Sequence, residues 1–223
     1  TNEEIISSNC TNGYVKNDQY EDLHEQIKNE ILNNDTYHGE KKVFTTENVI
    51  FQISKLEDQD EDKDISTIDL GKCEETLRLK YNIPKGESLI IYKSDIKSID
   101  LDTSYVQYEL YHPITLEPLD LSDCSEDQIT ISVSVNLDND TLNLYNSLSD
   151  SGHNLFDEND SFYNDICVTY TTENGTDMGM SDRKQAIEES GGNLCQTGCK
   201  LQNYNNTNKK VKCNCNVNST NTI

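Results

Sequence analysis

The 223-residue chain has no tryptophan, 3 prolines, and 18 basic residues against 41 acidic ones. Apolar residues make up 33% of it, and the mean hydropathy is −0.77. Length suits one large domain or a small and a medium one, and so thin an apolar supply predicts covalent help for the core. The scarcity of basic residues leaves a net charge of −23. That argues against nucleic acid and against unaided binding to anionic lipid, and favours solubility, cations or basic partners. Also missing are Gly-x-Ser-x-Gly, a phosphate-binding loop, His-Glu-x-x-His and a dinucleotide fingerprint. The four histidines, His24, His38, His112 and His153, lie far in sequence from the cysteines, so no zinc-type spacing arises. His112 before Pro113 and His153 in a polar stretch read as surface residues rather than general bases. No leader-like or membrane-length apolar run occurs in these residues.

Eight cysteines are what the sequence does have, an even number that predicts an oxidised, extracellular framework. Asn-x-Ser/Thr sequons at Asn9, Asn34, Asn139, Asn159, Asn174, Asn205 and Asn218 agree with a secretory route. The best acceptors are Asn139, Asn159 and Asn174, in or near a long polar stretch. Four cysteines fall in a C-terminal segment containing Cys195, Cys199, Cys213 and Cys215. If 210–216 is a strand, Val211, Cys213 and Cys215 share one face and Lys210, Lys212 and Asn214 the other. Two adjacent sulfurs on one face need neighbouring partners, which predicts a disulfide-stapled terminal strand closing the body upstream.

Along the chain, residues 1–17 are polar, with Cys10 as a tether. Asp18-x-x-Glu21 has the form of a capping box, and Tyr20, Leu23, Ile27 and Ile31 follow at helical spacing. This predicts an amphipathic helix over about 18–33 lying on a sheet. Residues 34–46 read as a polar connection. The expected division is therefore 1–46, tether and helix, and 47–223, a β-sandwich domain. Val49, Phe51 and Ile53 alternate as a strand, and Glu57–Asp64 is a charge run that cannot bury itself. A short strand over 65–70 precedes a helix over about 71–81 carrying Cys73, Leu77 and Tyr81, stopped before Pro84. Strands follow over 88–96, 104–111, an edge segment between Pro113 and Cys124, and 128–137, where strict alternation implies one wet face. Residues 138–164 read as a long surface excursion, 166–170 as another strand, and 182–189 as a turn or two of helix. The sum is a mainly β, α+β fold with two short helices: an antiparallel, disulfide-stapled β-sandwich.

Cys167-Val-Thr-Tyr170, Thr197-Gly-Cys199-Lys-Leu201 and Cys213-Asn-Cys215-Asn216 together resemble the GPS motif that ends the GAIN domain of adhesion receptors and polycystin-type proteins. The likeness covers about residues 165–219. Three positions depart from it: Tyr170 stands where the family has Trp, Cys195 is additional, and Val217-Asn218-Ser219 replaces His-Leu-Thr. The resemblance implies a GAIN-like fold and the crossed disulfides Cys167–Cys213 and Cys199–Cys215. Cys73–Cys124 and Cys10–Cys195 complete the expected set. It also places the family's self-cleavage nucleophile at Ser219. Val217 then occupies the position of the proton-accepting His, so the Asn218–Ser219 bond is expected to stay intact. Composition is further similar to that of Asn-rich protist surface proteins.

The acidic stretches Glu57–Asp64, Asp138–Asp140 and Asp157–Asp160 lack the spacing of a calcium loop, so calcium is expected at most weakly and no cofactor or metal centre is expected. The functional expectation is an extracellular, non-enzymatic cell-surface module in adhesion or mechanical linkage. Its partners would be proteins or glycans at the cell surface, or further copies of itself. Nucleic acid is not expected, and membrane attachment only through segments outside this chain. A secreted structural or fibre-forming glycoprotein, and a self-cleaving module using Ser219, are the alternatives.

Overall fold

The computed structural model describes residues 17–32, 37–59, 64–97, 104–171, 175–191 and 194–217. They form an α+β fold of two four-stranded antiparallel sheets. The first is built from β1 (Lys42–Thr45), β2 (Val49–Lys55), β4 (Ile90–Lys97) and β5 (Ser104–Tyr111), in the order β1-β2-β4-β5. The second comprises β3 (Thr67–Asp69), β6 (Gln128–Ser134), β7 (Cys199–Asn205) and β8 (Lys210–Asn216), in the order β3-β6-β8-β7. Five α-helices accompany them among the described residues: α1 (Asn17–Leu32), α2 (Lys72–Lys80), α3 (Asn139–Asp150), α4 (Ser161–Asn164) and α5 (Met180–Gly191).

Both sheets contribute to one apolar core. Ile91, Val106, Tyr108 and Leu110 of the first join Ile68, Ile129, Ile131, Val133, Val211, Cys213 and Cys215 of the second. The alternation in β6 works as the period-two rule requires: Ile129, Ile131 and Val133 are buried and the residues between them are not. The first sheet is buried on its other side as well. There Ile27 and Ile31 of α1 pack with Val49, Phe51, Ile53, Ile90, Tyr92 and Tyr111. β2 and β4 therefore read as nearly continuous buried runs rather than alternating ones. The helix over 71–81 is α2, which buries Cys73 and Leu77, with Glu74 and Glu75 in its first turn and Arg78 and Lys80 in its last, each sign at the end the helix dipole favours.

Several sequence expectations are corrected. The region 138–164 is no surface excursion: it contains α3 and α4, and Leu148, Leu155, Phe156, Phe162 and Tyr163 are core residues. Asp138 and Asp160 start these helices as side-chain N-caps, accepting from Thr141 N and Phe162 N respectively. No strand forms over 166–170; Ile166 is 82% exposed in a turn, and only an isolated bridge joins Thr171 to Asp177. The expected edge strand before Cys124 is a single bridge, Tyr111 to Pro118, followed by a 3-10 turn over Leu121–Cys124. The 34–46 connection contains β1, hydrogen-bonded to β2. Among the described residues there are five helices: α1 and α2 as expected, α5 where a turn or two was expected over 182–189, and α3 and α4, which were not expected.

Candidate functional site

The disulfide-bearing C-terminal hairpin, β7 and β8, is the first candidate. β8 is an inner strand, paired with β6 on one side and β7 on the other. Val211, Cys213 and Cys215 point inward together and are buried, while Lys212 on the opposite face is exposed. Lys210, assigned to the outer face, is also buried, its Nζ donating to the Ile65 carbonyl at 2.7 Å. Cys215 lies directly opposite Cys199 across the hairpin, and the two are bonded. Cys73–Cys124 ties α2 to the 3-10 turn before β6.

Cys213 pairs with Cys195, not with Cys167. The reason is position. Cys195 lies just before β7, in a segment where the Gln196 side chain accepts from the Val106 N–H of β5 and the Leu194 carbonyl comes near the Cys213 sulfur. Cys167 stands in an exposed turn after α4 and is a free thiol. The expected Cys10–Cys195 bond is excluded by the same pairing; Cys10 itself lies outside the described residues. The cysteine that is additional to the resembled motif thus takes the partner that the motif assigns to Cys167.

Of the sequons, Asn139, Asn159 and Asn205 are described, and all three are exposed. Asn9, Asn34, Asn174 and Asn218 lie outside the described residues, as does Ser219. Val217 is buried beside the core, an apolar side chain with nothing to accept a proton.

Residues 60–63 of the charge run Glu57–Asp64 lie outside the described residues; the other two acidic stretches do structural work with their oxygens. Asp138 accepts from the N–H and the hydroxyl of Thr141, at 2.9 and 2.7 Å, and these bonds hold its carboxyl below the ordinary range. Asp160 accepts from Phe162 N and Asn154 N and lies 2.8 Å from His153 Nδ1. Burial works to raise its pKa, but these bonds outweigh it and the carboxyl is held low. Ser161 Oγ is 3.4 Å from the same His153 Nδ1. A serine nucleophile needs a base nitrogen of its own, with the carboxylate on the other one. Here serine and aspartate share one nitrogen, so the trio is a loop clasp. Among the described residues no group of three or more His, Cys, Asp or Glu side chains is placed to hold a metal ion.

A buried polar cluster between the sheets gave no sequence motif. Lys93 and Asp95 follow Ile91 on one face of β4, and the chain Ile65–Ser66 crosses their heads. Lys93 Nζ donates to the Ser66 carbonyl, Lys210 Nζ to the Ile65 carbonyl, and Ser66 N to Asp95 Oδ1 at 3.1 Å. Lys93 is 0% and Asp95 2% exposed. Desolvation pushes the Asp95 carboxyl up, against the pull of Lys93, the Ser66 bonds and Lys210. The available signal is a charge pair at i, i+2 in a strand that opens on the apolar run Ile90-Ile91-Tyr92. A second, half-buried group under α1 gathers His24, Lys28 and Tyr111 around Glu109.

No protein-family model, curated protein or solved structure matches the chain.

Proposed function

We propose that the chain is an extracellular, non-enzymatic module of a cell-surface protein, a GAIN/GPS-like β-sandwich that serves adhesion by acting as a mechanical link. One observation carries this reading: the grip on β8. The strand is hydrogen-bonded along both sides, and each of its two cysteines is bonded to a different point of the preceding chain. A tension applied at the C-terminal end meets two covalent ties and two ladders before it reaches the core. Three disulfides also suit an oxidising compartment. Exposed sequons at Asn139, Asn159 and Asn205 add to that support.

Single-molecule pulling between the two ends of the chain tests the reading. The oxidised protein is expected to resist strongly and to release no length from between Cys195 and Cys215. Reductant should lower the unfolding force and add that length. Unfolding at low force in both states would overturn the mechanical reading. A membrane-impermeant amine reagent applied to intact source cells should label the protein, and failure to do so would overturn the surface assignment.

A further inference from the structure

We infer that Gln52 and Lys93 are built to join through a side-chain amide, a covalent tie between β2 and β4 independent of the disulfides. Gln52 and Lys93 are register partners in adjacent antiparallel strands, so their side chains leave the sheet on the same face as nearest cross-strand neighbours. Both are 0% exposed. Neither Gln52 Oε1 nor Gln52 Nε2 has a hydrogen-bond partner, an arrangement that buried amides avoid because the lost bonds are not replaced by water. Asp95, two residues beyond Lys93 on the same face, is as deeply buried, and its Oδ2 also has no hydrogen-bond partner. Tyr108, fully buried, is the neighbour of Lys93 on the other side. The site thus combines an amine, a carboxamide and a buried carboxyl in surroundings closed to water. This inference stands on that geometry and not on the surface role proposed above.

The step balances without an oxidant or a cofactor. The Lys93 ammonium passes one proton to Asp95, which burial favours in its neutral form. The freed amine attacks Gln52 Cδ, and the Nζ–Cδ bond forms. Asp95 returns its proton to the departing Gln52 nitrogen as the Cδ–Nε2 bond breaks, and takes up the proton lost from Nζ. Ammonia leaves and carries that proton away as ammonium. The product is a secondary amide with one donor and one acceptor in place of a buried cation and a buried primary amide. Cross-strand register makes the two side chains neighbours, and the Lys93 amine, which rests on the Ser66 carbonyl, has to turn from it to reach Gln52; holding the two on paired strands is what makes so slow a reaction feasible in a folded chain.

Peptide mass spectrometry of the full, folded and purified chain tests this. The expected result is a branched peptide joining the Gln52 and Lys93 segments, one ammonia lighter than the sum of its parts, with no tryptic cleavage after Lys93. Lys93→Arg and Asp95→Asn should each give the linear peptides at full mass, and Gln52→Glu serves as a second variant that retains size. Linear Gln52 and Lys93 peptides from the native chain would overturn the inference whatever the variants do. So would an ammonia loss that maps to an asparagine instead.

Discussion

At the scale of single residues, charge burial sets the testable behaviour. Glu109 sits beneath α1 within reach of Lys28 at 3.4 Å and His24 at 3.9 Å, and the Tyr111 hydroxyl donates to it. Desolvation raises its pKa, but His24, Tyr111 and Lys28 outweigh that and hold it below the ordinary glutamate value. A folded-state carboxyl held low binds fewer protons than the unfolded one. Its stabilisation is complete above the unfolded value and is lost as pH falls through the folded one. Glu109→Gln should therefore weaken the protein most near neutrality, with the gap to the natural chain closing in acid; urea midpoints across the acid range read this directly. Val217 gives a second expectation. Lacking a general base lowers such an acyl transfer by about 10²- to 10⁴-fold, so the Asn218–Ser219 bond should remain intact. N-terminal sequencing of an extended chain checks it, and a fragment starting at Ser219 would refute it. The buried Lys93–Asp95 pair was readable only as letters: composition says nothing of which face of β4 they take, and the apolar residues around them marked the strand without revealing that both its faces are covered.

At the scale of elements, periodic segments were the legible ones. β5 and β6 showed their alternation, and α1 and α2 their helical stripe, because each buries one face against a neighbour. The 138–164 region failed for the opposite reason. Its inward residues, Leu148, Leu155, Phe156, Phe162 and Tyr163, are spaced by capping turns around Asp138 and Asp160 rather than by a period. β1 is a four-residue strand with no buried residue, and it forms by pairing with β2 rather than from an apolar pattern of its own. For the candidate hairpin, sequence indicated that Cys213 and Cys215 share a face, but the choice between Cys167 and Cys195 depended on where two loops pass. Two measurements follow. Iodoacetamide on the folded protein should label Cys167, and non-reducing peptide maps should recover Cys195–Cys213; a Cys167–Cys213 peptide would contradict the pairing. Removing Cys73–Cys124, which spans 51 residues, should lower stability by about 4 kcal/mol on the loop-entropy account. Removing Cys199–Cys215, which spans 16, should lower it by about 3 kcal/mol. Leu148→Ala, in the fully buried part of α3, should cost about 2–5 kcal/mol in the same denaturation assay.

For the whole molecule, net charge and chain order dominate. A charge of −23 repels itself in the compact state. Salt near 0.1 M shortens the reach of that repulsion to about 10 Å. The melting temperature should therefore climb when salt is added to a low-salt solution, and an unchanged value would mean the charges are already spread beyond mutual influence. The order β3-β6-β8-β7 has a further consequence, for synthesis. The strand that β6 needs as its inner neighbour lies about eighty residues downstream, at Lys210–Asn216. While the chain is emerging from the ribosome, Cys73 and Cys124 can meet early, but one edge of β6 waits unpaired. Cys195 and Cys199 appear before either of their partners. Until the last strand arrives, that open edge and those waiting thiols are the points at which a chaperone or a disulfide isomerase would have to act. Halting translation before residue 210 should leave a chain that binds hydrophobic dyes and forms mixed disulfides, and that loses both properties when the last strand is supplied.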